Sequence, residues 1–169
     1  KVSARPTTAR PVAASQPVAR IAAPTPQRDA IAVIGMAGRF PGADDIESLF
    51  AKLLEGADLT GPAPAERGFI GQWRGGFLSN VDRFDAALFR VSPTEAERLD
   101  PQQRLMLETA WRCLEDAGLT PDDMPADTGV FVGASALDYA KLLRQAGIAA
   151  DGYGATGNSL AMIANRVSH

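Results

Sequence analysis

DPQQRLMLETAWRCLEDAG, residues 100–118, followed at residues 128–133 by TGVFVG, decides how this chain is read. Asp100 stands where a helix N-cap is needed, Pro101 fits the first helical position, and Gln103 is placed to reach back in a capping-box arrangement. Leu107, Trp111 and Leu114 recur at helical spacing, with Ala110 and Ala117 widening the apolar stripe. Gly118 ends the helix and Pro121 prevents its continuation. The spacing therefore predicts a helix over residues 101–117 and a short apolar strand over 128–133.

Working outward, residues 30–35 (AIAVIG) form a second β-branched run closed by glycine, the pattern of a strand buried on both faces. Residues 36–42 (MAGRFPG) read as a loop. Asp45 caps a helix through about residue 55, with Ile46, Leu49, Phe50, Leu53 and Leu54 on one face and Gly56 as its stop. Residues 57–74 are loop-like, 75–78 a short edge strand, and 80–89 a turn followed by a short helical piece. Residues 138–145 are helical, as are 158–168, where Leu160, Ile163, Ala164 and Val167 share a side. The order is strand, helix, long excursion, helix, strand, helix, helix. That is an α/β chain with its sheet covered on both faces. Two strands are too few for a sheet, which usually has about five or six, so the chain reads as the first part of a fold.

Composition narrows the function. The chain has 169 residues, 46% apolar, with 17 basic and 20 acidic side chains, one Cys and one His. A net charge of −3 argues against nucleic-acid binding. No apolar run approaches the roughly eighteen residues of a membrane span. One Cys and one His exclude an internal disulfide and a Cys/His zinc site, and a lone thiol fits the reducing cytoplasm. Residues 1–28 differ from the rest: they hold Lys1, Arg5, Arg10, Arg20 and Arg28, no acidic residue, and five prolines. Proline this frequent forbids a helix, so an extended Ala/Pro-rich basic linker is expected, entering a domain at 29–169.

The chemistry-bearing residues form no catalytic set. Gly35, Gly38 and Gly42 follow a strand, but their spacing is not G-x-G-x-x-G, Pro41 interrupts the helix start, and a strand-to-loop turn accounts for them. His169 has no carboxylate pattern beside it. Cys113 falls inside the amphipathic helix and reads as a structural thiol, because a reactive one needs an accessible, electropositive place. Glu95, Glu97, Asp100 and Glu108 surround a helix start, where capping and dipole pairing account for them. Ser135 lacks the G-x-S-x-G frame, since Leu137 stands where the second glycine belongs. Gln102, Gln103 and Arg104 read as capping and anchoring their helix.

Nine segments nevertheless occur together in one order: IAVIGMAGRFPG (31–42), GGFL (75–78), VDRFDAA (81–87), Ser92-Pro93 with Glu95-Ala96, LDPQQRLMLE (99–108), Trp111 with LEDAG (114–118), VFVGA (130–134), Thr156-Gly157-Asn158, and NRVSH (165–169). In this the chain resembles, over residues 29–169, the N-terminal part of a β-ketoacyl synthase (ketosynthase) domain of a modular polyketide synthase. Residues 1–28 resemble the linker that precedes such a domain. One departure is residues 61–74, GPAPAERGFIGQWR, where relatives usually carry a longer loop.

The resemblance implies an incomplete thiolase-like fold, most of the first half of a layered α-β-α-β-α domain. It implies the decarboxylative Claisen condensation of acyl and malonyl thioesters carried on the phosphopantetheine arm of an acyl carrier protein, with no cofactor or metal bound directly. In the family the nucleophile stands in a Thr-Ala-Cys-Ser-Ser motif beyond Asn-Arg-Val-Ser-His, and two His and a Lys lie later still. Cys113 and His169 match none of these, so no catalytic residue is assigned and the chain alone is expected to be inactive. Thr156, Asn158 and Met162 are expected to line the acyl pocket; the alternative is Asn158 as an N-cap and Met162 as core. The implied partners are an acyl carrier protein, the remaining half of the ketosynthase in the same or a separate polypeptide, and a second copy in a homodimer. The alternative function is a non-catalytic docking element, a truncated ketosynthase joining two synthase subunits.

Overall fold

Asp45 starts the first helix as its sequence demands: its backbone is extended and its carboxylate accepts the Ser48 amide at 2.7 Å. That helix, α1, spans Ile46–Leu54 in the computed structural model, which describes residues 30–67, 72–148 and 151–169. Contacts divide the molecule into residues 1–32 and 33–169. Of the first unit only 30–32 are described, without regular secondary structure and with Ile31 exposed. The linker expected over 1–28 lies outside the described residues.

The second unit carries the elements. After α1 a two-stranded antiparallel ladder pairs β1 (Gly61–Pro62) with β2 (Arg74–Gly75), so the edge strand expected at 75–78 sits slightly earlier. A short helix, α2 (Pro93–Arg98), and a long one, α3 (Pro101–Asp116), follow. Then come α4 (Asp138–Gln145), α5 (Gly152–Gly157) and α6 (Ala161–Val167). The core lies where α3 packs on α6 and α2 on α5. Val91, Leu99, Leu107 and Ile163 are buried, and Leu99 and Gln103 are almost fully enclosed.

Local signals around α3 hold. Asp100 accepts the Gln102 amide at 2.8 Å, Pro101 opens the helix, and Gly118 takes φ +68 just past its end. Gly42 has φ +69 behind Pro41, in a turn closed by paired backbone hydrogen bonds between Phe40 and Ala43. Gly35 serves close approach: a Cβ there would lie 2.5 Å from the Cys113 carbonyl oxygen and 2.9 Å from the Ala117 Cβ. The Met36 amide donates to Asp116 at 2.8 Å, and Arg39 pairs with Glu108 at 3.7 Å. The segment after Gly35 is thereby laid along α3.

Several expectations are corrected. Neither apolar run, 30–35 or 128–133, is a strand: each lacks regular structure, and Val33 and Phe131 are 76% and 96% exposed. A strand exists only with a hydrogen-bonded neighbour, and none faces these runs among the described residues. Residues 80–89 form turns without a helical piece, and Asn80 and Arg90 flank them at positive φ. Residues 158–168 do not make one helix. Asn158 closes α5 at its C-terminus, and α6 begins at Ala161. The apolar face of α1 is not buried either; Phe50, Leu53 and Leu54 are exposed.

Candidate functional site

Ser92 caps α2 by accepting the Glu95 amide, and Pro93 presets its first turn, so Glu95 projects from a fixed point beside α3. Asp151 caps α5 by accepting the Gly154 amide at 2.7 Å. Its other carboxylate oxygen meets Arg98 Nε at 2.7 Å and ties α5 to the end of α2. Between these elements and α6 opens a cleft of about 1270 Å³. Phe89, Val91, Leu107, Tyr153 and Met162 give it apolar walls. Arg90, Glu95, Arg166 and His169 supply its charged and polar rim. Phe89 is itself held by Phe84, stacked at 5.4 Å, and by the edge of Trp111 at 6.2 Å.

Behind the cleft lies a polar clamp centred on Gln103, which is 1% exposed. Its Nε2 donates to the carbonyls of Thr156, Gly157 and Ser159 at 3.0, 2.9 and 3.2 Å. Its Oε1 accepts Arg166 Nε at 2.7 Å, and Arg166 Nη2 reaches Glu95 at 2.7 Å. The Asp100 amide donates to the Gly157 carbonyl at 2.9 Å. One amide side chain thus joins α3 to the turn between α5 and α6 and to α6 itself. The capping box expected of Gln103 is not formed, because its Oε1, the atom that would accept the Asp100 amide, accepts Arg166 Nε instead, and that amide donates to the Gly157 carbonyl.

The expected pocket residues are placed differently from one another. Thr156 and Met162 line the cleft. The Thr156 hydroxyl donates back to the Gly152 and Tyr153 carbonyls. Asn158 is outside the lining. It donates to the carbonyls of Gly154 at 2.8 Å and Arg98 at 3.0 Å, while its Oδ1 is buried with no partner among the described residues. Asn158 is therefore neither the N-cap of α6 nor a wall of this cleft.

Of the carboxylates around the start of α3, Asp100 caps the helix as expected, whereas Glu95 and Glu108 are ion-pair partners of Arg166 and Arg39. Glu97 is exposed, and its backbone carbonyl accepts the Tyr139 hydroxyl at 2.6 Å. Arg104 is buried, donates to the Asp82 carbonyl at 3.3 Å, and lies 5.7 Å from the Tyr139 ring centroid. Gln102 donates to the Ala136 carbonyl at 2.9 Å. Cys113 is half-buried within α3, and Ser135 is exposed in an irregular segment. The ion pairs Glu95–Arg166 and Arg98–Asp151 each join residues over fifty positions apart and so leave no local signature in the sequence.

Among the described residues no group of His, Cys, Asp and Glu could hold a metal, and no helix is long and apolar enough to cross a membrane.

Comparison with known proteins assigns the class. The profile of the β-ketoacyl synthase N-terminal domain matches residues 28–169, and the chain belongs to that family. Its relatives are polyketide synthases. It is 39% identical over 173 residues to erythronolide synthase EryA2 of Saccharopolyspora erythraea, covering 92% of this chain and 5% of that protein. It is 43% identical over 161 residues to polyketide synthase GfsA of Streptomyces halstedii, covering 86% and 2%. Among solved structures it matches the oxazolomycin ketosynthase domain OzmH KS7 of Streptomyces albus JA3453 with a TM-score of 0.70 at 36% identity, over 80% of this chain and 26% of that one. The module 6 ketosynthase of the bacillaene synthase from Bacillus subtilis 168 matches with a TM-score of 0.62 at 29% identity, over 79% and 22%. The fold is thus part of the thiolase-like α/β ketosynthase architecture, as the sequence pattern implies. The chain spans about a quarter of the solved ketosynthases it matches and a few per cent of the curated synthases.

Proposed function

We propose that this chain is the N-terminal portion of a polyketide ketosynthase, preceded over residues 1–28 by a linker, and that its cleft forms one wall of the acyl-binding pocket. In the complete enzyme a Cys thiolate takes the acyl group from a carrier protein's phosphopantetheine thioester and releases the carrier thiol. Decarboxylation of a malonyl thioester then gives an enolate, which attacks the acyl carbon and expels the thiolate. This chain contributes neither nucleophile nor acid–base group to those steps. Cys113 is set within a helix rather than at an activating helix N-terminus.

One observation carries the reading: Thr156 and Met162 face the same apolar-walled cleft as Leu107 and Tyr153. Such a surface suits an acyl chain. Carrier protein, homodimeric partner, the rest of the ketosynthase and a cytoplasmic setting follow from this reading. The exposed run 33–34 and Phe131 support it too, as strand-forming residues awaiting neighbours in a larger sheet.

The test is acyl loading. The full-length protein, incubated with an acyl thioester of a pantetheine analogue, is expected to gain the acyl mass on one cysteine outside this chain. Met162→Trp should slow loading of long acyl chains by about tenfold through overfilling the cleft. A full-length protein that gains no acyl mass, yet binds a second synthase subunit through this region, would favour the docking-element reading.

A further inference from the structure

We propose that Gln103 is a positioning residue that sets the width of the acyl cleft, and through it which acyl chain is accepted. The inference rests on the functional reading above and adds a specificity device that lies outside the cleft. Gln103 does not line it; Thr156 and Met162 do.

The two lining residues stand on different helices, Thr156 on α5 and Met162 on α6, joined by the turn through 158–160. Their separation depends on how that turn is held. Gln103 grips it from α3 through three carbonyls, two in α5 and one in the turn, and through Arg166 grips α6 as well. Glu95, which faces the cleft from α2, holds the far side of the same guanidinium. Among the described residues, the Gln103 amide is the one side chain that grips α5, the turn and, through Arg166, α6 at once, beside the direct packing of α3 on α6 and the Asp100 bond to the Gly157 carbonyl. The amide is enclosed, so its donors and acceptor have no water to fall back on. Replacing it removes the tie that α5, the turn and α6 share, and the remaining links hold α5 and α6 separately, so Thr156 moves relative to Met162 without either being touched.

The experiment measures acylation rate constants of the full-length protein with butanoyl and decanoyl thioesters of a pantetheine analogue. It compares wild type, Gln103→Met, Gln103→Glu and Arg166→Lys. Met fills nearly the same volume and makes none of the hydrogen bonds. Glu keeps the acceptor for Arg166 but loses the donors to the carbonyls. Lys at 166 retains a charge for Glu95 and removes the Nε donor.

The decanoyl-to-butanoyl rate ratio is expected to shift by about threefold or more in Gln103→Met, and in the same direction by less in Gln103→Glu and Arg166→Lys. A residue with only a structural role would lower both rates together, so an unchanged ratio in the folded variants overturns the proposal. If Gln103→Met does not fold, Arg166→Lys decides the matter by the same criterion. A wild type that takes neither thioester overturns the functional reading and this proposal with it. A wild type that loads both while the variants keep its ratio overturns this proposal alone.

Discussion

Gly157 lies against the end of α2 so closely that a Cβ on it would sit 2.7 Å from the Arg98 carbonyl oxygen and 3.2 Å from the Leu99 Cα. Both neighbours are backbone, in the most tightly enclosed part of the molecule, so neither can swing aside. Gly157→Ala is therefore expected to destabilise the protein by about 1–3 kcal/mol, through forced separation of α2 and α5. The midpoint of urea unfolding reads it, and a midpoint equal to wild type would show that the contact yields freely.

The Glu95–Arg166 pair joins α2 to α6, with side chains 20% and 16% exposed. Partial burial weakens solvent screening but leaves some, so a double-mutant cycle through Glu95→Gln and Arg166→Met should give a coupling of about 1 kcal/mol. Adding salt should reduce it only slightly, in contrast to a fully exposed pair. A coupling indistinguishable from zero would mean that the pair contributes geometry and no stability.

Asp45 is held below its ordinary pKa of 3.8, chiefly by the hydrogen bond from the Ser48 backbone amide and then by the Ser48 side chain. Its folded pKa is lowered, so its contribution is fully present above 3.8 and is lost as pH falls through the lower folded value. Thermal melts taken down an acid series should show stability declining in that window. Asp45→Asn, which keeps a capping oxygen but does not titrate there, should flatten that part of the profile. An unchanged acid profile would remove Asp45 from the account.

Gly35→Ala should lift the segment 33–39 off α3, because the new methyl meets the Cys113 carbonyl oxygen and the Ala117 Cβ. A loss of about 1–3 kcal/mol is expected. Ala117→Gly should restore part of it, since that removes the Ala117 methyl but leaves the carbonyl in place. Faster hydrogen exchange at the Met36 amide, which donates to Asp116, is the local readout. Full rescue by Ala117→Gly would show that the carbonyl contact carries no strain.

What could be read in advance follows the range of each interaction. Asp45, Asp100, Pro101 and Gly118 act on neighbours within four residues, so helix starts and stops were legible from residue type and spacing. Its place three residues after Asp100 makes Gln103 look like a local cap, but its partners are more than fifty residues ahead, and no spacing rule reaches that far. The runs 30–35 and 128–133 show a different limit. β-branched apolar content says that a segment wants covering, and here nothing among the described residues pairs with them. Thr156 and Met162 reach the cleft and Asn158 does not, because a side-chain amide that can satisfy two carbonyls at a helix end is drawn there first.

The Gln103 clamp also constrains the order in which the chain can assemble. Its partners lie 53 to 63 residues further along, so α3 leaves the ribosome well before anything can close on it. During that interval the Gln103 amide is satisfied by water, and an early apolar collapse over α3 would strand it unpaired. Only closure in register by residues 156–166 offers three carbonyls and a guanidinium at once. An arrangement that buried this amide away from residues 156–166 would leave it unpaired, and the cost of an unpaired buried amide counts against such misassembled states.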